Sequence, residues 1–437
     1  MLEPAPDARL AKLEAFLAAQ GRECLDWRYK GFGSLPTTPT IDQVRQHGVA
    51  LFDLGTPMMT IDISAVADNL VAMSTWCSER GLSLAPHGKT TMAPILWLGQ
   101  LMAGCTAITV ANGSQLRAAR AFGVPDIQLA NELVGSADVA WVAAELAADP
   151  EFGFLCWVDS VAAVERMARA VTTAGAPIPV CVEVGAAAGR TGARTVAEAL
   201  TVAAAVRAEP NLVLAGVSGY EGAVATAGID PAGLQAVDAF LELMLSVHRR
   251  LDGQYQTDRV TVTAGGSAYF DRVAAVLGPL VGTGTQPVDV VLRSGAYVVH
   301  DDIHYRDITP STRSAGPQLR SAIHVWAGVL SRPEPDLVII DAGRRDLPFD
   351  LDLPVVLAAH RHGMESWLPI GPAQVTALND QHGFVRIDPG SPVQVGDVVK
   401  LGLSHPCTAF DKWRAIAMVD SADDPDPWVT DVALTYF

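Results

Sequence analysis

The chain has 437 residues, of which 49% are hydrophobic, and its 31 basic and 48 acidic residues give a formal net charge of −17 at pH 7. This length is enough for two or three domains with a large core, and the negative charge argues against nucleic acid or an anionic membrane as a partner. No apolar run approaches the roughly 18 residues of a membrane span, and the start Met1–Pro4 lacks a signal-peptide pattern. The scattered cysteines, several in apolar runs, favour free buried thiols in a reducing cytoplasm.

Residues 1–55 form a mixed N-terminal extension to which we assign no chemistry. From about residue 56, short β-branched runs alternate with alanine-rich helical stretches. The strand candidates are Met58–Ile61, Leu82–Ala85, Ala107–Val110, Ile127–Ala130, Phe154–Val158, Val180–Val184, Leu214–Val217, Val260–Thr263 and Val288–Leu292. Strands that are apolar on both faces and separated by helices indicate a parallel sheet. Their number within residues 56–310 favours a closed TIM-type (β/α)8 barrel, with a doubly wound open sheet as the alternative.

After about residue 310 the alanine-rich helices disappear. Strand-like runs such as Leu337–Ile340, Ala373–Leu378 and Phe384–Ile387 are separated by Pro, Gly, Asn and Asp. This texture predicts an antiparallel β domain over residues 311–437. We find no long linker, so the two domains are expected to pack closely, with the N-terminal extension against the β domain.

The first chemical signal lies at the end of the run Leu82–Ala85. His87 and Lys89 follow two residues apart, and an amphipathic stretch begins at Met92. The pattern predicts a buried strand, a tight turn and a helix, which puts the turn at the C-terminal face of the barrel, where active sites lie. Desolvation between apolar walls would lower the pKa of a lysine there and make it an amine nucleophile.

Two other interpretations of this turn are open. Gly88-Lys89-Thr90 looks like the end of a phosphate-binding P-loop, but Ser83 stands where that motif requires a glycine. The plain structural interpretation is a surface lysine in a turn, because lysine side chains are mostly exposed. The choice between this interpretation and the catalytic one depends on the motifs that follow.

A glycine pair follows the strand candidate Val260–Thr263. Gly265, Gly266 and Ser267 precede a helical stretch, so they could present free backbone N–H groups to an anion. The loops after the late strands are the usual phosphate position of a barrel. The sequence therefore predicts a phosphate site here, and the alternative is a simple glycine turn that caps a helix.

Two further strand ends carry polar side chains. Arg190 lies in the loop after Val180–Val184, and Tyr220 follows Leu214–Val217. The permanently charged guanidinium could hold a phenolate, a ring nitrogen or a carboxylate at the barrel mouth, and the tyrosine would place a hydroxyl there. The alternatives are an ordinary surface salt bridge for Arg190 and a half-buried core residue for Tyr220.

The last motif lies in the predicted β domain. His405 and Cys407 are two residues apart, and in an extended segment they would face the same side. An imidazole and a thiolate suit zinc, and two protein ligands leave positions for water and substrate, as a catalytic site requires. The alternative is a pair of packed residues whose hydrogen bonds are satisfied.

Taken in order, the H-x-K, R-x-G, G-Y-x-G, G-G-S and H-x-C motifs resemble the D-threonine aldolase/D-serine dehydratase family, fold-type III pyridoxal 5'-phosphate (PLP) enzymes related to alanine racemase. The resemblance covers about residues 55–420 and includes Asp341–Arg344. The nearest pattern is that of bacterial amino acid deaminase or D-serine-deaminase-like members. It implies a PLP-binding barrel, a β domain that holds a metal, and a head-to-tail homodimer whose sites are completed across the interface.

Carried over residue by residue, the resemblance also implies roles. Lys89 would hold PLP as a Schiff base, with His87 beside it, and Arg190 would contact the ring region. The residues implied for the phosphate are Tyr220, Gly265, Gly266 and Ser267, and those implied for a zinc ion are His405 and Cys407. The chain departs from the family pattern at Ala85 and Thr91, where an arginine and a second histidine are usual.

A cysteine at position 407, where the family aldolases tend to carry aspartate, favours the dehydratase side of the family. The expected activity is that of a PLP-dependent lyase that converts a D-β-hydroxy amino acid, such as D-serine or D-threonine, to a 2-keto acid and ammonia. Retro-aldol cleavage is the alternative in the same fold. A non-catalytic PLP-binding homeostasis protein usually has only the barrel, and a racemase would need a second acid/base such as Tyr297.

Overall fold

The computed structural model describes residues 8–171, 175–225 and 229–437; residues 1–7, at the start of the predicted extension, lie outside these ranges. The helices are α1 (Ala11–Gln20), α2 (Ile41–His47), α3 (Ile63–Ser78), α4 (Pro94–Met102), α5 (Gly113–Phe122), α6 (Ser136–Ala148), α7 (Val161–Ala170), α8 (Val196–Ala208), α9 (Pro231–Leu251), α10 (Phe270–Val276), α11 (His304–Ile308) and α12 (Pro406–Phe410). The strands are β1 (Val49–Ala50), β2 (Met58–Asp62), β3 (Ser83–Leu84), β4 (Ile108–Val110), β5 (Asp126–Glu132), β6 (Gly153–Val158), β7 (Ile178–Val184), β8 (Leu212–Gly219), β9 (Val260–Ala264), β10 (Val288–Leu292), β11 (Ile323–Glu334), β12 (Leu337–Ile340), β13 (Val355–His360), β14 (Ala373–Leu378), β15 (Gly383–Ile387), β16 (Val398–Gly402), β17 (Ala415–Val419) and β18 (Trp428–Leu434).

Parallel strands form the larger unit of the described chain. Their order is β3-β10-β9-β8-β7-β6-β5-β4, and a parallel bridge between His87 and Thr109 joins the two edges. Helices pack outside the strands and side chains fill the inside, so β7 and β8 are buried along almost their whole length. The predicted (β/α)8 barrel is confirmed, and the carboxyl ends of its strands meet at one face.

The second unit is a mostly antiparallel sheet in the order β1-β18-β17-β2-β11-β12-β15-β14, with β16 between β11 and β13. The predicted β domain is therefore confirmed, but the prediction that Met58–Ile61 opens the barrel is wrong. Strand β2 pairs antiparallel with β11, Ile61 opposite Ile323, and parallel with β17. All five residues of β2 are buried, and such a run fits either sheet until its pairing partner is known.

The N-terminal extension contacts both units. Helix α1 packs on the barrel, where Leu13 joins the main core and the ring of Phe16 lies 4.7 Å from that of Phe122 in α5. The residues after α1 pack on the β domain instead, with Leu25 and Phe32 in one cluster with Trp326. The extension therefore links the two units as well as covering the sheet.

Two sequence expectations concern the state of the cysteines and membrane-spanning helices. All six cysteines are free thiols, and Cys77, Cys156 and Cys181 are buried, as the apolar runs around the last two predicted. In the part of the chain that the structure describes, no helix has both the length and the apolar character needed to cross a bilayer.

Asp62 joins the two units at the point where β2 leads into α3. Its Oδ1 accepts a hydrogen bond from the Ala65 N–H of α3 at 2.9 Å, and its Oδ2 accepts one from the Ala422 N–H at 2.8 Å. We expect Asp62→Ala to lower the free energy of unfolding by about 2–4 kcal/mol, because both buried N–H groups would lose their acceptor. Urea denaturation at pH 7 measures the change. Asp62→Asn keeps one acceptor oxygen and should lower the free energy of unfolding by less. A urea midpoint of Asp62→Ala equal to that of the wild type would contradict the prediction.

Candidate active site

The sequence-predicted site residues line one cavity of about 390 Å³ between the carboxyl ends of the barrel strands and the β domain. These residues are His87, Lys89, Arg190, Tyr220, Gly265, Gly266, Ser267, His405 and Cys407. They come from five separate stretches of the chain. The barrel brings the first seven together because its strands all end at this face, and the β domain supplies the last two.

Lys89 lies in the 3₁₀ turn Gly88–Thr90, which connects β3 to α4. Burial in the cavity lowers the pKa of the Lys89 ammonium group; the neighbouring Cys407 side chain opposes this shift, whereas Arg190 and Arg293 add to it. A lowered pKa gives a larger fraction of neutral amine at pH 7, and the neutral amine is the form that acts as a nucleophile or base.

His87 lies beside this lysine, at the bridge that closes the barrel. His87 is half-buried, and desolvation together with the charge of Lys89 holds the pKa of His87 well below its ordinary value. The Nδ1 atom has no hydrogen-bond partner among the described residues. An unpartnered buried nitrogen costs free energy, so this atom marks a place where a bound molecule can supply a hydrogen bond.

The glycine pair differs from the sequence prediction. The Gly265 and Gly266 N–H groups are not free: they donate to Oε2 and Oε1 of Glu221, at 3.0 and 2.6 Å. Glu221 is fully buried and lies 44 residues earlier in the chain, so the local motif could not reveal it. Glycine is still needed at these positions. A Cβ on Gly266 would lie 2.8 Å from the Tyr220 ring, and Gly265 has φ of +99°.

Hydroxyl groups surround the glycine pair on the cavity wall. Tyr220, Ser267 and Tyr305 all line the cavity. The Ser267 Oγ accepts from the Ala296 N–H at 3.3 Å and is hydrogen-bonded to the Tyr305 side chain. Tyr305 comes from the short helix α11, whose start is held by Asp301 Oδ1 through the Tyr305 N–H at 2.9 Å. No sequence pattern indicated Tyr305, because a five-residue helix gives no periodic pattern.

Two arginine side chains lie at the barrel mouth. The Arg190 guanidinium carbon lies 4.5 Å from the centre of the Tyr220 ring. Arg293 is buried and donates to Thr263 Oγ1 and to the Gly219 carbonyl, both at 2.6 Å; burial lowers its pKa. Arg293 was not among the residues predicted from the sequence, although a charged residue directly after the apolar strand β10 was a usable signal.

Glu132 and Glu183 form a carboxyl pair at the ends of β5 and β7. Glu183 lines the cavity. Burial, with the neighbouring Glu183 carboxyl adding to it, raises the pKa of Glu132 from 4.5 to about 9. Two adjacent carboxyl groups in a low-dielectric environment cannot both ionise at neutral pH, so the pair holds a proton.

Because of this proton, the free energy of unfolding depends on pH. Above an ordinary glutamate pKa the unfolded chain releases the proton and the folded state keeps it, so the contribution of Glu132 falls as pH rises from 4.5 toward about 9. We expect Glu132→Gln, which mimics the protonated form, to gain in melting temperature over the wild type by a few degrees as pH rises through this window. Thermal denaturation at pH 5 and pH 9 measures the difference. Glu165→Gln on the exposed face of α7 controls for the loss of one negative charge, and a pH-independent difference for Glu132→Gln would refute the prediction.

His405 and Cys407 enter the cavity from the start of α12. His405 is extended, with φ of −151°, but Cys407 lies in the first turn of the helix, so the predicted extended segment is wrong for Cys407. Both still face the cavity. The Cys407 thiol donates to Thr90 Oγ1 at 3.4 Å, next to Lys89. Burial lowers the pKa of His405, but Cys407 and Asp350 outweigh this effect and raise it to about 9.

The racemase alternative loses its candidate residue. Tyr297 is 2% exposed, and its hydroxyl lies 3.7 Å from Cys105 Sγ. It is absent from the described lining of the cavity. A side chain enclosed in this way does not reach a molecule bound near Lys89.

Two protein-family models match the chain. The model described as "Alanine racemase, N-terminal domain" matches residues 61–271, and the one described as "Putative serine dehydratase domain" matches residues 322–419. The chain belongs to the D-threonine aldolase/D-serine dehydratase family. Members of this family combine the barrel and the β domain seen here, and the family is one of PLP-dependent lyases, which supports PLP as the cofactor of this chain.

Known members of this family match almost the whole chain. The D-threonine aldolase of an Arthrobacter species is 28% identical over 385 residues, which cover 88% of this chain and 94% of that protein. The 3-hydroxy-D-aspartate aldolase of Paracoccus denitrificans (strain Pd 1222) is 22% identical and covers 85% of this chain and 88% of its own length. These matches support a D-amino acid lyase.

Two solved structures show the same fold. The D-threonine aldolase of Filomicrobium marinum superposes with a TM-score of 0.71 at 23% identity and covers 88% of this chain and 97% of that one. The D-threo-3-hydroxyaspartate dehydratase of Delftia sp. HT23 gives a TM-score of 0.64 at 20% identity, with 86% and 97% covered. At this identity the likeness concerns the fold, and it is shared by an aldolase and a dehydratase.

Proposed function

We propose that this protein is a PLP- and zinc-dependent dehydratase that converts a D-β-hydroxy amino acid, such as D-serine or D-threonine, to a 2-keto acid and ammonia. One observation carries the proposal. A lysine with a lowered pKa faces a histidine and a cysteine of the other unit, and the Cys407 thiol touches Thr90, next to Lys89. The names of the relatives, which specify D-threonine and 3-hydroxy-D-aspartate, support a substrate with a β-hydroxyl group.

The lining of the cavity fits PLP. Lys89 offers an amine for covalent attachment, and the unpartnered Nδ1 of His87 offers a buried hydrogen-bonding atom beside it. Because Glu221 already accepts from the Gly265 and Gly266 N–H groups, the hydroxyls of Ser267 and Tyr220 would hold the phosphate, and the two glycines would leave space for it. When bound, PLP supplies an electron sink that stabilises negative charge at the substrate Cα.

The pair His405 and Cys407 fits zinc. One nitrogen and one sulfur donor on the same cavity wall suit a borderline cation and are poor ligands for magnesium or calcium. The described residues contain no group of three or more His, Cys, Asp or Glu side chains placed to hold a metal. A metal held by His405 and Cys407 would have room for water and substrate, and it would supply Lewis-acid chemistry at the leaving hydroxyl group.

The side chains of this chain have three tasks in the reaction. The neutral amine of Lys89 accepts the proton from the substrate Cα, for which a pKa near the working pH is favourable. Arg190 supplies a permanent positive charge to the PLP ring region. His405 and Cys407 would hold the Lewis acid in the cavity that Lys89 also lines, and the packing of the β domain over the barrel mouth limits the access of water.

A product assay tests the proposal. The purified protein, loaded with PLP and zinc, is given D- and L-serine, D- and L-threonine and D-3-hydroxyaspartate, and keto acid, ammonia, aldehyde and racemised amino acid are measured together. The dehydratase produces keto acid and ammonia in equal amounts, and only from the D-substrates. Glycine with an aldehyde would instead support the aldolase function, the second candidate, which the 28% identity to a D-threonine aldolase favours. Racemised product alone would refute both.

A further inference from the structure

Asp350 contacts the side chain of His405 from the segment that precedes β13. Its Oδ2 lies 2.6 Å from Nδ1 of His405, and its Oδ1 accepts a hydrogen bond from the Thr408 hydroxyl at 2.7 Å. Both carboxylate oxygens therefore have a partner on the short stretch that carries the proposed metal ligands. The two bonds hold the carboxylate in one orientation relative to the imidazole.

The contact determines which imidazole nitrogen is available to the cavity. A carboxylate can only accept, so Nδ1 of His405 carries the hydrogen and donates to Asp350. In the neutral ring the lone pair is then on Nε2, and Nε2 is the nitrogen left for the cavity that His405 lines with Cys407. Without the carboxylate, the ring is free to rotate and to exchange its tautomers.

We infer that Asp350 is the positioning residue of the metal site: it fixes the tautomer and the ring orientation of His405, so that Nε2 is the ligand. The inference rests on the proposed function, in which His405 and Cys407 hold zinc. Metal-binding histidines commonly donate their second N–H to such a partner, and loss of that partner typically weakens metal binding by about 10–100-fold. Asp350 lies 55 residues before His405 and outside the H-x-C motif.

Zinc affinity, measured without substrate, tests the inference. Protein that contains PLP and has been freed of metal is titrated with zinc against a chromophoric chelator, for the wild type and the variants Asp350→Ala, Asp350→Asn, Asp352→Asn and His405→Ala. We expect Asp350→Ala to bind zinc about 10–100-fold more weakly. The zinc affinity of Asp350→Asn should lie between those of the wild type and Asp350→Ala, because a single amide oxygen has to accept from both His405 and Thr408. Asp352→Asn removes the same charge two residues away and should bind like the wild type.

Cobalt(II) gives a second measurement, which a merely structural residue would not change. In Asp350→Ala the thiolate-to-cobalt absorption from Cys407 should persist, while the ligand-field bands shift because the imidazole is no longer held. Wild-type zinc affinity in Asp350→Ala, with binding lost in His405→Ala, would overturn the role of Asp350 and leave the metal site intact. Unchanged affinity in both variants would instead refute the metal site of the proposed function, and with it the inference.

Discussion

Lys89→Ala is expected to lower keto acid formation from a D-hydroxy amino acid by at least about 10²–10⁴-fold, the range for loss of a general base alone. The loss should be larger still if the same amine also holds the cofactor. Initial rates of keto acid formation at saturating substrate measure the loss of the general base. To test whether Lys89 also holds the cofactor, wild-type protein with PLP is treated with borohydride, and tryptic mapping should then find the reduced adduct on Lys89.

Lys400 is the matched control for this experiment. It is buried like a catalytic lysine, and burial lowers its pKa too. It lies in β16 of the β domain, however, where its Nζ donates to the Ala422 carbonyl at 2.5 Å, away from the cavity that Lys89 lines. An adduct on Lys89 alone shows that position, and not a low pKa by itself, selects the reactive amine. An adduct on Lys400 or on any other lysine would contradict the assignment.

Removal of the metal or of either proposed ligand is expected to eliminate keto acid formation while PLP remains bound. Hydroxide is a poor leaving group unless it is protonated or stabilised by a Lewis acid, so elimination depends on the metal. The proposed PLP contacts lie in the barrel, whereas His405 and Cys407 lie in the β domain. Chelation, His405→Ala and Cys407→Ala should therefore leave the visible absorbance of the cofactor in place.

Proton exchange separates this prediction from a general loss of activity. The substrate Cα proton should still exchange with deuterated solvent in these variants, as followed by NMR, because Lys89 is untouched. Cys24→Ala, at an exposed thiol in the N-terminal extension, is the matched control for Cys407→Ala and should keep full activity. Keto acid formation at the wild-type rate by the chelated enzyme would show that the H-x-C pair has only a structural role.

The local pattern of the chain determined the architecture and most of the candidate site. Short runs buried on both faces, separated by alanine-rich helices, predicted the barrel, because only a parallel sheet covered by helices makes such strands apolar throughout. Residues directly after these runs meet at one face, so Lys89, Tyr220 and Ser267 could be placed together before any contact was known. The two-residue spacing of His405 and Cys407 was likewise visible in the sequence.

Only the tertiary structure decided which partners these residues have. The sequence of a buried strand such as β2 is compatible with either sheet, and only its pairing with β11 places it in the β domain. Glu221 occupies the glycine N–H groups from 44 residues away, and Asp350 holds His405 from a distance of 55 residues. Such contacts depend on how two units and their loops pack against each other, and hydrophobic periodicity carries no information about packing between segments that are distant in the chain.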